Sequence, residues 1–164
     1  MSKPLLIAMM GLPRSGKSSV VELLSKEIGA PIVRRDAIRL ALHGHRFQME
    51  AEPMIKAMSI YMIRSLFLAG HDTVICDETN YSQAARDSIQ SEDWQTMFFP
   101  ITTGPLICCE RAEKTGQPDL VKVIWEMANR YEPLKPTDVR YNEVYVNLTD
   151  KILERVRGLY ASTS

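Results

Sequence analysis

The sequence predicts an α/β fold in which helices cover both faces of a parallel sheet. Short apolar runs alternate with longer stretches whose apolar residues recur at helical spacing, and this alternation is typical of such sheets. The first run, residues 5–10, is apolar at every position, as expected for a strand that is buried on both faces. We therefore predict a three-layer α/β sandwich with a five-stranded parallel sheet.

The individual elements follow from hydrophobic spacing and from the residues that start or stop helices. Gly29 and Gly70 are placed to end two helices, and Thr149 to begin the last one. The predicted strands are residues 5–10, 31–34, 73–76, 96–101 and 142–147. The predicted helices are residues 18–28, 36–42, 50–69, 82–90, 105–114, 118–131 and 149–160.

The longest predicted helix, residues 50–69, has a clear apolar face. Ile55, Met58, Met62 and Leu66 recur along it at helical spacing. We expect Met54, Met58 and Met62 to pack in the core rather than to bind a ligand.

Composition limits the classes of protein to which the chain can belong. A chain of 164 residues with 45% apolar side chains suits one domain, and we predict a single domain over residues 1–164. The 20 basic and 20 acidic side chains cancel, so any attraction to phosphate must be local. Three cysteines without metal-ligand spacing favour a reducing, cytoplasmic setting. No stretch resembles a signal peptide or a bilayer span, so we expect no membrane partner.

One segment matches a phosphate-binding motif at every fixed position. Residues 11–18, the phosphate loop, read Gly-Leu-Pro-Arg-Ser-Gly-Lys-Ser and fit G-x-x-x-x-G-K-[ST] between a predicted strand and a predicted helix. The two glycines let backbone N–H groups point at phosphate oxygens, and the helix directs its positive end at them. Lys17 is expected to reach the β- and γ-phosphates of ATP, and Ser18 to ligate Mg²⁺. The predicted nucleotide-binding residues are Gly11, Pro13, Arg14, Ser15, Gly16, Lys17, Ser18 and Ser19.

A second segment, residues 34–39, follows the second predicted strand. The carboxyl ends of neighbouring parallel strands share one crevice, so we expect this segment to face the phosphate loop. A carboxylate at Asp36 can accept a proton from an attacking hydroxyl, and Arg39, one helical turn later, can hold a phosphate of the acceptor. Residues 34–46 contain four arginines and one acid, a local charge of +3 that favours an anionic acceptor.

Structural interpretations of the same residues remain open from the sequence. Asp36 can cap the helix that it begins, and the arginines can form a solvated basic face. Asp77, at the end of an apolar strand, can hold Mg²⁺ through water or can simply end the strand. The other candidates are expected to be loop histidines and buried helix cysteines: His43, His45, Cys108 and Cys109.

Together these segments resemble the phage polynucleotide 5′-kinase domain and its relatives, which include zeta-toxin-like kinases. The matching pieces span roughly residues 5–135 in the same order, and the phosphate loop is the one that is specific by itself. They are residues 11–18, Arg35-Asp36-x-x-Arg39, residues 74–80 (Val-Ile-Cys-Asp-Glu-Thr-Asn), and the stretch from Arg111 through Gly116 and Pro118.

The resemblance implies a role for each matched residue. Asp36 matches the general base that orients and deprotonates the acceptor hydroxyl. Arg39 matches the arginine that binds the acceptor's phosphate, and Arg35 borders the same cleft. Arg111 falls in the lid, where arginines contact the ATP phosphates.

The chain departs from the family pattern at two places. The acidic-Thr-Asn element contains two carboxylates, Asp77 and Glu78, and either can be the counterpart of the family's acid. The second lid arginine is replaced by Thr115, with Lys114 beside it. The replacement by Thr115 removes one of the arginine contacts that the family pattern implies with the ATP phosphates.

The predicted reaction is transfer of the γ-phosphoryl group of ATP, with Mg²⁺, to a hydroxyl of a nucleic acid. The first choice of acceptor is a polynucleotide 5′-hydroxyl, in DNA or RNA. The relatives also include phage kinases that modify DNA by phosphorylating a hydroxymethylated pyrimidine base. One alternative is a small-molecule kinase acting on a nucleoside, a sugar or an antibiotic. The other is a nucleotide-dependent switch or binding module, which would not need both Asp36 and Arg39.

Overall fold

The structure is a computed structural model that describes residues 3–44 and 47–135, together with residue 154. Four parallel strands form one sheet in the order β2-β3-β1-β4. Their register places Leu5 of β1 opposite Thr73 and Gln95 on its two neighbours. The strands are β1 (Leu5–Met10), β2 (Ile32–Arg34), β3 (Thr73–Asp77) and β4 (Gln95–Pro100).

Helices connect the strands and cover both faces of the sheet. The helix after β1 ends at Gly29, which adopts a left-handed conformation with φ +67° and donates its N–H to Ser25 O. A single 3-10 turn, Met49–Ala51, precedes the longest helix. The helices are α1 (Lys17–Ile28), α2 (Arg35–His43), α3 (Glu52–Leu68), α4 (Gln83–Asp87), α5 (Pro105–Lys114) and α6 (Leu120–Asn129).

The central strand β1 contributes to two cores at once. Leu6 and Ala8 lie in the core beneath α3, whereas Ile7 and Met9 lie in the core beneath α1. All four side chains are inaccessible to solvent, which explains why β1 is continuously apolar rather than alternating. The arrangement confirms the predicted α/β sandwich with a parallel sheet. A third, smaller core joins α5 and α6 to the phosphate loop through Leu12 and includes the buried Cys108 and Cys109.

The predicted strand count is not reached within the described residues, where the sheet has four strands. The fifth predicted strand, residues 142–147, and the final predicted helix, residues 149–160, lie outside the described residues. The helix predicted at residues 82–90 is shorter than expected. It covers Gln83–Asp87, with Ser82 accepting a hydrogen bond from Ala85 N as its cap.

The buried stripe of α3 differs from the predicted one. Ile55, Ser59 and Ile63 are fully buried, whereas Met54 and Met62 are 50% and 40% exposed. The expectation that these two methionines pack in the core was wrong. Met58 does pack against the core. Ser59 takes a central position because its hydroxyl donates to Lys56 O and accepts from Arg35, so its burial leaves no polar group unpaired.

Within residues 3–44 and 47–135, no helix combines the length and the apolarity needed to cross a bilayer.

Candidate active site

The phosphate loop joins the end of β1 to the start of α1. Two glycines and one arginine adopt positive φ values: Gly11 at 151°, Arg14 at 63° and Gly16 at 99°. A Cβ on Gly11 would lie 2.8 Å from Ile101 O, so the neighbouring strand end leaves no room for a side chain. The loop is thereby shaped so that its backbone can approach a ligand closely.

Lys17 is the first residue of α1 and its side chain is buried under the loop. Its Nζ donates a hydrogen bond of 2.6 Å to Leu12 O. Burial lowers the pKa of Lys17 from its usual value to about 8, and the nearby Asp77 carboxylate works in the opposite direction. A buried ammonium held by one carbonyl is suited to bind an anion that supplies the missing negative charge.

Polar atoms of the loop also lack partners within the described part of the chain. Ser15 Oγ and Arg14 Nε are buried there without a hydrogen bond. The loop backbone itself is well held, since Thr103 Oγ1 donates to Ser15 O at 2.8 Å and Gly11 N donates to Thr79 O at 2.9 Å. Unpaired donors on a fixed backbone fit an anionic ligand such as a nucleotide phosphate. Pro13 lies on the same loop, and Ser19 is exposed in the first turn of α1.

Asp77 is the carboxylate that meets the phosphate loop. Ser18 Oγ donates to Asp77 Oδ2 at 3.0 Å, which joins the end of β3 to the start of α1. Arg34 Nε donates to the same oxygen at 3.2 Å. A hydroxyl and a carboxylate are the hard oxygen ligands that Mg²⁺ prefers, so this pair fits a magnesium site.

Glu78 points away from that site. Its buried carboxylate pairs with Arg35 Nε at 2.7 Å and accepts a hydrogen bond from Cys76 Sγ. Burial raises the pKa of Glu78, although the Arg35 guanidinium pulls it down. Of the two carboxylates that the sequence left open, Asp77 therefore lies at the loop and Glu78 belongs to the packing of α2 against α3.

Asp36 lies in the first turn of α2 and its side chain is 76% exposed. It is not the cap of this helix, which is Arg34. Arg39 Nη1 donates to Asp36 Oδ1 at 2.6 Å. The same guanidinium is held from the other side by both carboxylate oxygens of Glu52, at 2.6 and 2.8 Å. These hydrogen bonds raise the pKa of Arg39 above its ordinary value.

The basic character expected of residues 34–46 is largely neutralised in the fold. Arg34 pairs with Glu22 and Asp77, Arg35 with Glu78, and Arg39 with Glu52 and Asp36, so that each guanidinium faces at least one carboxylate. The expected local excess of +3 thus overlooked acids that are distant in sequence. Arg46 and His45 lie outside the described residues, and His43 is partly buried at the end of α2.

Arg111 reaches the phosphate loop from α5. Its Nη1 donates to Arg14 O at 3.2 Å and would lie 3.7 Å from a Cβ on Gly16. Thr115, at the position of the absent second lid arginine, caps α5 through its hydroxyl, which donates to Arg111 O at 2.8 Å. Lys114 is exposed beside it.

Two acids of this region escaped the sequence analysis, and a third residue, Asn80, was matched there without a role. Glu22 and Glu52 are acidic residues on helices, and a sequence pattern usually places such side chains in solvent. For Glu22 alone, the spacing gives a weak indication of a position near the site. It lies four residues after Ser18 and therefore on the same face of α1. Asn80 is 2% exposed, has φ 42°, and donates from Nδ2 to Met9 O at 2.8 Å. It fixes the turn after β3 against β1.

The chain matches the family model of an AAA domain (AAA_33) over residues 6–91, which is 86 of its 164 residues. The chain belongs to this AAA domain family. The matched part of the AAA domain begins in β1 and includes Lys17, Asp36, Arg39 and Asp77, whereas Arg111 lies beyond it. Among curated proteins, none matches the chain.

Solved structures of kinases share the architecture of this AAA domain. The Mycobacterium tuberculosis APS kinase CysC is 17% identical with a TM-score of 0.66, covering 94% of this chain and 99% of its own. A gluconokinase from Sinorhizobium meliloti is 20% identical with a TM-score of 0.59, and the match covers both chains completely. A chain from the Pnkp1/Rnl/Hen1 RNA repair complex is 16% identical with a TM-score of 0.61 over 87% of this chain.

This chain spans about half, 53%, of the length of that RNA repair chain. At these identities the likeness shows a common fold, and the fold is that of P-loop kinases. The AAA domain described here therefore shares its fold with kinases of different kinds.

Proposed function

We propose that this protein is an ATP- and Mg²⁺-dependent phosphotransferase. The observation that carries the proposal is the contact of Ser18 with Asp77 beside the buried Lys17, because it unites a phosphate-binding loop with ligands for a divalent cation. Asp36 follows β2, the strand next to β3, on the same edge of the sheet. This arrangement supports transfer between a nucleotide on the loop and an acceptor over α2.

Each residue has a distinct proposed task. Lys17 and the loop N–H groups hold the β- and γ-phosphates, and Arg111 approaches them from α5. Ser18 and Asp77 hold Mg²⁺, which when bound neutralises charge on the transferring phosphoryl group. Asp36 accepts the proton of the acceptor hydroxyl as its oxygen attacks phosphorus, and the bridging oxygen leaves with ADP.

The acceptor that we propose first is a hydroxyl of a nucleic acid, either a polynucleotide 5′-hydroxyl or a hydroxymethylated base in DNA. The order and spacing of the matched segments support it, and so does the likeness in fold to a chain of an RNA repair complex. We further propose that residues 1–164 act as one domain in a cytoplasmic setting.

A small-molecule acceptor is the second candidate, and the contacts of Arg39 favour it. Both edges of this guanidinium are already held by carboxylates, Asp36 on one side and Glu52 on the other. An acceptor phosphate would have to displace one of them. The gluconokinase and the APS kinase also match this chain over nearly their whole lengths.

Arg39→Ala separates the two candidates. If Arg39 binds a phosphate of the acceptor, Arg39→Ala should lower kcat/KM on a 5′-hydroxyl oligonucleotide roughly tenfold or more beyond its effect on the matching free nucleoside. Arg39→Lys should recover only part of the difference, because an ammonium cannot make the paired contact of a guanidinium. The measurement is transfer of labelled phosphate from ATP to both acceptors.

Arg64→Ala is the matched control, since Arg64 also pairs with an acid, Asp93, but lies near the opposite end of the strands. It should affect neither acceptor. Equal losses on both acceptors in Arg39→Ala would contradict the nucleic-acid proposal and favour the small-molecule candidate. Raising the salt concentration provides a second comparison, because it weakens polynucleotide binding far more than nucleoside binding.

A further inference from the structure

Arg34 lies directly at the proposed magnesium site. We propose that Arg34 competes with the divalent cation for the carboxylate of Asp77, and that Glu22 holds Arg34 when the metal takes its place. The two residues would then set the Mg²⁺ concentration that the protein needs. The inference rests on the proposed function, since it concerns the metal of that same site.

The strand register forces Arg34 and Asp77 together. They are the last residues of β2 and β3 and are paired across the two parallel strands. The side chain of Asp77 is only 7% exposed, and its Oδ2 accepts from both Ser18 Oγ and Arg34 Nε. A metal ion drawn to this oxygen therefore meets an arginine that is already bound there.

Glu22 gives the arginine a second partner. Arg34 Nη2 lies 2.5 Å from Glu22 Oε1, so a different nitrogen from the one that donates to Asp77 makes this contact. Glu22 is one turn after Ser18 on α1, and its side chain is 52% exposed. The guanidinium can thus release Asp77 and stay paired with Glu22, so metal entry leaves no buried charge unpaired.

The charge of Arg34 determines whether its removal strengthens or weakens metal binding. The positive charge of Arg34 beside the site repels a divalent cation, and Lys17 is a second positive charge that interacts with Asp77. Removing the charge of Arg34 should therefore strengthen metal binding. If Arg34 merely kept Asp77 in position, its removal should weaken metal binding instead.

The test is the melting temperature of the full chain as a function of free Mg²⁺, with saturating AMPPNP and no acceptor. In Arg34→Gln, the Mg²⁺ concentration at half-maximal stabilisation should fall roughly three- to tenfold. Arg34→Lys, which keeps the charge, should stay close to the wild-type value. Arg64→Gln is the control for loss of an ion-paired arginine elsewhere, and it should not change the Mg²⁺ dependence.

Glu22→Gln should have the opposite effect, because the arginine then depends on Asp77 alone. The half-maximal Mg²⁺ concentration should rise, and the rise should disappear when Arg34→Gln is added. A higher or unchanged Mg²⁺ requirement in Arg34→Gln would overturn the inference. The absence of stabilisation by AMPPNP with Mg²⁺ in the wild type would overturn it as well. Failure of transfer to every acceptor, with these shifts intact, would count against the proposed reaction alone.

Discussion

At the scale of single residues, charges in this site are arranged in pairs that cross between elements. The arginines Arg34, Arg35 and Arg39 are paired with carboxylates, whereas Lys17 is held by a backbone carbonyl. A bound phosphate would therefore give Lys17 the negatively charged partner that the carbonyl of Leu12 does not provide. The lowered pKa of Lys17 is a consequence of this arrangement.

Nucleotide binding should take up a proton at alkaline pH. The pKa of Lys17 is about 8 in the folded protein and 10.5 in an unfolded chain, so its ammonium is partly lost above pH 8. A bound phosphate raises this pKa again, so binding of AMPPNP at about pH 8.5 should be accompanied by uptake of part of a proton by Lys17. Calorimetry in two buffers of different ionisation enthalpy measures the uptake.

The same calorimetry near neutral pH should show almost no uptake from Lys17, because the ammonium is already protonated. Lys17→Arg is the control at alkaline pH, since a guanidinium stays charged and should remove the uptake. Folding stability depends on the same group, because between pH 8 and 10.5 Lys17 binds a proton more fully in the unfolded chain than in the folded protein. The destabilisation due to Lys17 should therefore decrease as the pH rises through that range.

At the scale of elements, Arg86 links the segment after α6 to the turn after β3 by hydrogen bonds. It is fully buried and donates to Glu132 O at 2.9 Å, to Asn80 O at 3.1 Å and to Pro133 O at 3.4 Å. Glu132 N donates in turn to Tyr81 O. These hydrogen bonds hold the end of the helix pair α5 and α6, which carries Arg111, against the turn after β3.

Arg86→Ala should be among the most destabilising single substitutions. It leaves buried carbonyls unpaired and removes a large side chain from a packed site, which should cost about 3–5 kcal/mol. For a domain of this size, the melting temperature should fall by roughly 10 °C. Arg130→Ala, an exposed arginine two residues before Glu132, is the control and should change stability by less than about 0.5 kcal/mol. Equal stability of the two variants would contradict the anchoring role.

The sequence predicted elements well where a single rule decided them. The bounds of β1 and α5 agree with the prediction, because a continuous apolar run and a helix bounded by Gly104 and Thr115 leave little choice. The face of α3 was mispredicted, because hydrophobicity favoured methionine over Ser59. Burial of Ser59 depends on Arg35, which is 24 residues away in sequence, and no local pattern reveals that contact.

At the scale of the whole molecule, the phosphate loop and its catalytic candidates could be predicted, but their partners could not. Lys17, Ser18, Asp36 and Asp77 stand in short motifs whose order is informative in itself. Glu22 and Glu52 were missed because they meet their arginines only when α1 packs beside β2 and α3 packs beside α2. The acids that pair with Arg34, Arg35 and Arg39 were missed, and binding of an anionic acceptor by this segment stays a prediction.

The described residues should unfold as one unit. The core beneath α3 and the core beneath α1 share strand β1, so neither can be lost while the other stays intact. We expect a single transition in differential scanning calorimetry, with the calorimetric and van 't Hoff enthalpies in agreement. Two separate transitions would contradict the proposal of one domain.

We propose that ATP on the phosphate loop is attacked by a hydroxyl that Asp36 deprotonates. The most direct measurement is labelled-phosphoryl transfer by the wild type, Asp36→Asn and Lys17→Ala on the best acceptor of the wild type, with AMPPNP affinity measured in parallel. Asp36→Asn should bind AMPPNP normally and transfer roughly 10²-fold more slowly, and Lys17→Ala should lose at least as much activity. Near-normal transfer by either variant would contradict the account.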